Sequence, residues 1–91
     1  MLYNKDNIKL LYFSPYLKAE RKGKEIIFYN YIFETIVTIK YNEEMIRSIE
    51  NGIELEDLMK LMNKYFKKKE TEEIIKRLIA YGVVEWIDVT G

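Results

Sequence analysis

The stretch Glu25–Tyr41, with the sequence EIIFYNYIFETIVTIKY, decides how the rest of this 91-residue chain folds. Most of its residues are β-branched or aromatic, and such residues lose side-chain freedom in a helix but pack well on a sheet. The stretch is too long for one ordinary strand, and Asn30–Glu34 is the natural place for a turn. It therefore predicts a hairpin of two strands, Glu25–Asn30 and Thr35–Lys40.

The residues before this hairpin predict one more strand. Tyr16–Arg21 alternates loosely between apolar and charged residues, and the charged turn Arg21–Lys24 leads into the hairpin. The two turns together give a three-stranded antiparallel meander. Farther upstream, Ile8–Phe13 is a short apolar run that fits either a turn of helix or an extra strand, and Ser14-Pro15 separates it from the meander.

Beyond the hairpin, the spacing of apolar residues changes from two to about 3.6, the period of a helix. Asn42 is a good N-cap for a first helix, which the pair Asn51-Gly52 ends. A second helix is predicted over about Glu54–Phe66. A third is predicted from a cap at Thr71 to a stop at Gly82.

The predicted fold is α+β and winged-helix-like, with a three-stranded antiparallel meander followed by three helices in the order β-β-β-α-α-α. The residues Val83–Val89 add a short C-terminal extended segment, and Lys67–Lys69 forms a solvated turn between the second and third helices. Residues 1–91 are expected to be one small domain. Because a sheet this small cannot bury both faces, the helices must cover one of them.

The composition argues against catalysis. The chain has no Cys and no His, which removes the thiol nucleophile, the commonest general base and the commonest transition-metal ligand. Its four glycines are scattered and form no phosphate-binding loop. Nearly all carboxylates fall on predicted helix faces or caps. We therefore expect a binding module that is not an enzyme and uses no cofactor and no metal.

The charge balance gives no overall attraction to nucleic acid or to an anionic membrane, because fifteen basic and fifteen acidic residues cancel. The sequence shows no signal peptide and no long apolar run, so the expected location is the cytoplasm.

DNA binding is the alternative function, because winged-helix transcriptional regulators also combine three helices with a small sheet. The predicted third helix offers two basic residues, Lys76 and Arg77, and three carboxylates, Glu70, Glu72 and Glu73, oppose them. This is a weak set for contacts with DNA phosphates. The basic run Lys67–Lys69 keeps this alternative open.

Peptide capture by strand addition is the other use of such an architecture. The strand Thr35–Lys40 is rich in β-branched residues, contains no Pro, and carries Lys40 as its only charge. As the last strand of the meander, it would offer unpaired backbone groups to an extended peptide. The competing interpretation is that the C-terminal segment covers this edge.

The second turn of the meander is unusual because it contains Tyr31, Ile32 and Phe33, whereas turns usually carry Gly, Pro, Asn, Asp or Ser. These three residues could pack against Ile8–Phe13, or they could form an exposed contact for a partner. The sequence leaves both interpretations open.

The succession SPYLKAERKGKEIIFYN, ETIVTIKYNEEMIRSIENG, ELEDLMKLMNKYF and ETEEIIKRLIAYGVVE resembles the PqqD-like family, the RiPP recognition elements. RiPPs are ribosomally made peptides that are modified after translation. The resemblance covers about Ser14–Glu85, from the three short strands to a last helix that closes on Tyr81-Gly82-Val83-Val84. The second turn is longer and more apolar than is usual in that family, and Asn42-Glu43-Glu44 replaces its common Asn-x-Thr-Ala.

The resemblance implies a non-catalytic, chaperone-like domain of peptide natural-product biosynthesis. Such a domain holds the leader region of a precursor peptide as an added strand and presents the peptide to a maturation enzyme. That enzyme is a radical SAM enzyme, a cyclodehydratase, a dehydratase or a leader peptidase. Carried over to this chain, the resemblance implies a peptide-binding strand and a groove along the third helix, formed by Thr35, Ile36, Val37, Thr38, Ile39, Lys40, Ile74, Arg77, Leu78 and Tyr81.

Overall fold

The computed structural model describes residues 8–89. Within this range the elements are β1 (Ile8–Phe13), β2 (Leu17–Lys22), β3 (Glu25–Asn30), β4 (Thr35–Lys40), α1 (Glu43–Asn51), α2 (Leu55–Met62), α3 (Lys68–Ala80) and β5 (Val84–Val89). Strands β2, β3 and β4 form a three-stranded antiparallel sheet, and β1 pairs with β5 in a second sheet. The predicted α+β fold, a three-stranded meander followed by three helices, is confirmed, and the β1–β5 pair is added to it.

The meander forms because alternate residues of its hairpin are apolar and point to one side. Ile26, Phe28, Val37 and Ile39 are all buried on that side. Both hairpin strands have the predicted bounds, whereas β2 begins and ends one residue later than predicted.

A buried asparagine holds the turn between β3 and β4. The Oδ1 atom of Asn30 accepts hydrogen bonds from the backbone N–H groups of Ile32 and Phe33, at 2.9 and 3.0 Å. Its Nδ2 atom donates to the carbonyl oxygen of Gly82 at 2.8 Å. The side chain therefore orders a turn that lacks Gly and Pro, and it ties this turn to the chain just after α3.

The segment Ile8–Phe13, for which the sequence left two interpretations, is a strand. It pairs antiparallel with β5, from Ile8 opposite Val89 to Phe13 opposite Val84. On its other side, Leu11 and Ile53 exchange backbone hydrogen bonds of 2.8 and 3.2 Å. The predicted C-terminal extended segment is thus bound to β1 and does not cover the edge of β4.

The second helix is shorter than predicted, since α2 ends at Met62 and not at Phe66. After Met62 the helical hydrogen-bond pattern gives way to a tighter turn, in which the N–H of Tyr65 donates to the carbonyl oxygen of Met62, three residues back, at 2.9 Å. Tyr65, predicted on the apolar face, is 50% exposed. Its hydroxyl donates to the carboxylate of Glu44, and this hydrogen bond lowers the pKa of Glu44.

The third helix begins a turn earlier than predicted. Lys68 and Lys69 form its first turn, so they do not belong to a solvated loop. Thr71, predicted as the N-cap, is fully buried inside the helix. Instead, the Oε1 atom of Glu70 accepts a hydrogen bond from the backbone N–H of Lys67 at 3.1 Å. A carboxylate at the third helical position can satisfy the start of a helix in this way.

One hydrophobic core joins both sheets and the three helices. Its buried members are Leu11, Ile26, Phe28, Val37, Ile39, Met45, Ile49, Leu58, Met62, Ile75, Leu78, Val83 and Val84. The opposite face of the meander is not covered to the same degree, since Ile36 is 64% exposed there. None of the helices in residues 8–89 has the length and apolar character needed to cross a lipid bilayer.

Candidate functional site

Strand β4 forms one edge of the meander, because the strand order is β2-β3-β4. In an antiparallel ladder, residue pairs that exchange backbone hydrogen bonds alternate with pairs that do not. Just after β4, the N–H of Tyr41 donates to the carbonyl oxygen of Lys24 at 2.8 Å, so Tyr41 directs its backbone groups to the β3 side. Every second residue back along β4 must do the same. On the other side of β3, the N–H of Tyr31 donates to the carbonyl oxygen of Tyr16 at 3.1 Å, which agrees with this assignment of inward and outward residues.

The alternation divides β4 into two sets of residues. One set directs its backbone N–H and C=O groups to β3: Thr35, Val37 and Ile39. The other set directs them away from the sheet: Ile36, Thr38 and Lys40. Within residues 8–89, no strand pairs with this outward edge. The edge therefore presents three N–H and three C=O groups in a regular row.

A cleft of about 290 Å³ opens beside this edge, between β4 and α3. Its apolar lining comes from Ile39, Phe66 and Ile74, which are buried or half-buried. Exposed charged residues, among them Lys40 and Arg77, surround these apolar side chains. The cleft can therefore take a side chain with an apolar body whose end lies near charged groups.

The end of α3 contacts β4 at the first residue of the strand. There the Oγ1 atom of Thr35 donates to the carbonyl oxygen of Tyr81 at 2.6 Å, which holds the end of α3 against the strand. The ring of Phe33 lies directly on Gly82, so closely that a Cβ atom there would come within 2.5 Å of Phe33 Cδ2. The cleft is thus confined to the part of β4 from Thr38 to Lys40.

Most of the residues predicted for the site from the sequence come together in the structure. Ile36, Thr38 and Lys40 form the outward edge, while Ile74 and Arg77 line the cleft. Tyr81 is 44% exposed but does not line the cleft. The ion pairs found among residues 8–89 do not include Arg77.

The prediction that Leu78 lines the groove is wrong. Its side chain is only 1% exposed and belongs to the core. Leu78 follows Ile74 by four residues, but a helix advances about 400° over that distance, and the extra 40° turns Leu78 toward the sheet. The side chain of Val37 is also buried and does not line the cleft, whereas the largely buried side chain of Ile39 does.

Four residues that line the cleft are not among those predicted for the site: Glu25, Tyr65, Phe66 and Glu70. The sequence predicts Tyr65 and Phe66 in the second helix, whereas in the structure α2 ends at Met62 and both residues lie in the chain that leads to α3. No feature of the four residues themselves indicates a role in the cleft.

The apolar turn of the hairpin is exposed. Tyr31, Ile32 and Phe33 are 45%, 56% and 64% exposed, so the interpretation that they pack away against Ile8–Phe13 is wrong. The ring of Tyr31 meets that of Tyr16 edge to face, with 6.1 Å between the centroids. The other interpretation, a contact with a partner, stays a prediction.

The part of the chain that the structure describes contains no group of three or more carboxylates arranged to hold a metal ion. In comparisons with known proteins, no protein-family model, no curated protein and no solved structure matches this chain significantly. The edge of β4 and the cleft beside it are the features from which a function can be argued.

Proposed function

We propose that this chain is a non-catalytic peptide-binding protein of RiPP biosynthesis. It captures the leader region of a ribosomally synthesised precursor peptide as a strand added to β4, and it presents that peptide to a maturation enzyme. The observation that carries the proposal is the outward row of backbone groups on Ile36, Thr38 and Lys40, next to a cleft. The resemblance to the PqqD-like family supports the assignment to leader peptides.

An extended peptide is the ligand that fits such a row, because its own N–H and C=O groups alternate with the same spacing. The edge of β2 is less suitable. That strand carries Lys18, Glu20, Arg21 and Lys22, all exposed, and charged edge strands resist the addition of another strand. In β4, Lys40 is the only charged residue.

Backbone pairing alone does not explain useful affinity. Three residues with two groups each allow up to six hydrogen bonds, each contributing a net ~0.5–1.5 kcal/mol. A micromolar complex needs about 8 kcal/mol in addition to the cost of association. Side chains of the peptide that enter the cleft must therefore contribute the rest, and they also give the specificity that backbone pairing lacks.

The decisive variant is Thr38→Pro. The N–H of Thr38 faces outward, so proline removes a hydrogen-bond donor from the free edge and leaves the bonds between β3 and β4 in place. The matched control is Ala19→Pro, because Ala19 has the same outward orientation on the edge strand β2. Val37→Pro would be uninformative, since it breaks the sheet itself.

As the binding probe, we suggest a random library of linear 12-residue peptides displayed on phage, selected on the wild-type protein. The tightest peptide is then synthesised and titrated by fluorescence anisotropy. We expect Thr38→Pro to weaken binding by at least about tenfold and Ala19→Pro to leave it unchanged, with circular dichroism confirming both folds. Failure to enrich any peptide, or equal binding by Thr38→Pro, would refute the proposal.

A further inference from the structure

The sheet formed by β1 and β5 has a free edge on β5, because within residues 8–89 no strand pairs with that side of β5. We propose that this edge binds the β5 strand of a second copy of the chain. The two copies then form a two-fold symmetric dimer with a four-stranded antiparallel sheet in the order β1-β5-β5-β1. The inference concerns a surface separate from β4, and it does not depend on the proposed function.

The β1–β5 sheet is packed into the core at one end and exposed at the other. Leu11 and Val84 are buried. At the opposite end, four large apolar residues are each between 41% and 43% exposed: Ile8, Trp86, Ile87 and Val89. A sheet of only two strands is marginally stable by itself, and a cluster of exposed apolar residues is typical of an interaction surface. Added strands would therefore stabilise this end.

The backbone of β5 alternates between groups bonded to β1 and groups directed outward. Leu11 exchanges hydrogen bonds with Ile53, so its backbone groups point away from β5. Trp86 lies opposite Leu11 and must direct its own groups away from β1, as must Asp88, two residues farther along. The hydrogen bond of 3.0 Å from the N–H of Ser14 to the carbonyl oxygen of Val83 agrees with this alternation.

The outward groups restrict how two β5 strands can pair. Since outward residues must face outward residues, the two-fold axis that gives the largest overlap passes through Trp86, Ile87 or Asp88. An axis at Asp88 would place two carboxylates directly opposite each other. An axis at Trp86 would place the carboxylate of Asp88 beside Val84, which is buried in the core. The axis at Ile87 has neither fault.

With the axis at Ile87, the two edges complement each other. Trp86 of each copy exchanges hydrogen bonds with Asp88 of the second copy, and the two Ile87 side chains meet on the face that Leu10 extends on β1. Asp88 already lies opposite Lys9 of its own β1. Glu85 lies opposite Val89 of the second copy. No two like charges are therefore opposite each other.

A second copy is the partner that fits this edge, because a two-fold interface requires a surface that complements itself. The contact is small compared with a standard protein–protein interface, so we expect a weak dimer that forms and dissociates with concentration. Strand β4 belongs to the other sheet, so its edge stays free in the dimer.

Sedimentation velocity tests the dimer on the purified chain from about 10 μM to about 1 mM. We expect the wild type to shift from monomer to dimer over this range. Ile87→Asp places two carboxylates opposite each other and should weaken the dimer by at least about tenfold. Ile36→Asp is the matched control, because Ile36 is an exposed isoleucine on the other edge strand, β4, and it should have no effect. Circular dichroism checks both folds.

A single introduced cysteine tests the register, because the chain has none of its own. Ile87 and its copy form a pair that exchanges no hydrogen bonds, in which the Cα atoms lie ~4.5 Å apart, within the range that a disulfide spans. Under mild oxidation, Ile87→Cys should form a covalent dimer at least about ten times faster than Trp86→Cys or Ile36→Cys. In this register, two cysteines at position 86 are too far apart for a disulfide.

Three results would overturn the inference. The first is a wild type that stays monomeric up to about 1 mM. The second is a dimer that Ile36→Asp disrupts and Ile87→Asp does not, since β4 would then be the interface. The third is a disulfide that forms as fast in Trp86→Cys or Ile36→Cys as in Ile87→Cys, because the two-fold axis would then not pass through Ile87.

Discussion

Gly82 holds the hairpin turn and the end of α3 in close contact. Its φ angle is +74°, a conformation that residues with a Cβ atom rarely adopt, and the ring of Phe33 covers the place where a Cβ would lie. Its carbonyl oxygen accepts the hydrogen bond from Asn30. A single residue without a side chain thus lets the turn between β3 and β4 pack against the chain just after α3.

We expect Gly82→Ala to lower the free energy of unfolding by more than the backbone conformation alone explains. The unfavourable φ costs about 1–2 kcal/mol, and the added Cβ would also lie 2.5 Å from Phe33 Cδ2 and 2.9 Å from Asn30 Nδ2, so both side chains must move. Gly23→Ala is the matched control, because Gly23 has a φ of +61° but no atom within 4 Å of the added Cβ. Chemical denaturation measures both. Equal losses in the two variants would show that the close packing of Phe33 and Asn30 around Gly82 does not contribute.

At the scale of secondary-structure elements, the turn between β3 and β4 is exposed, so a substitution there should have little effect on the stability of the fold. Because Ile32 is 56% exposed, Ile32→Ser should change the free energy of unfolding by no more than about 0.5 kcal/mol. Ile26, on β3 of the same hairpin, is 6% exposed, and Ile26→Ser should cost about 2–5 kcal/mol. A loss for Ile32→Ser as large as that for Ile26→Ser, measured by thermal denaturation, would contradict the exposed turn.

The elements also differ in how well the sequence predicts them. The dense β-branched residues of Glu25–Lys40 leave no competing structure, so both strands were predicted with their exact bounds. The sequence does not predict the start of α3, because Thr71 and Glu70 can each accept a hydrogen bond from a backbone N–H at the beginning of a helix. Only the folded chain shows that Glu70 does so. The strand β1 stayed undecided because a short apolar run fits a helix equally well until its partner, β5, is known.

The candidate site shows the same limit. Its edge strand was predictable, because strand order follows from two short turns. The sequence does not predict which residues of α3 face the cleft, because Ile74 and Leu78 lie on the same apolar stripe of the helix. Only the packing of α3 shows that Leu78 is in the core and Ile74 lines the cleft. The alternation of outward and inward backbone groups likewise depends on the observed hydrogen bond between Tyr41 and Lys24.

For the molecule as a whole, the charge balance argues against nucleic acid as the ligand. The net charge is zero, and the lysines at the start of α3 are followed by Glu70, Glu72 and Glu73. We expect no sequence-specific DNA binding at physiological salt, because useful affinity needs several phosphate contacts. A gel shift with a dissociation constant below about 1 μM and a steep dependence on salt would favour a DNA-binding regulator instead.

The pairing of β1 with β5 has a consequence for the order in which the chain can fold. On the ribosome, β1 is made well before its partner strand, which begins only at Val84. The meander and the helices can form from neighbouring segments in the meantime, and contacts between close residues form fastest. Until its partner emerges, the apolar run IKLLYF lacks that strand, and we expect the pairing of β1 with β5 to form more slowly than the contacts between close residues.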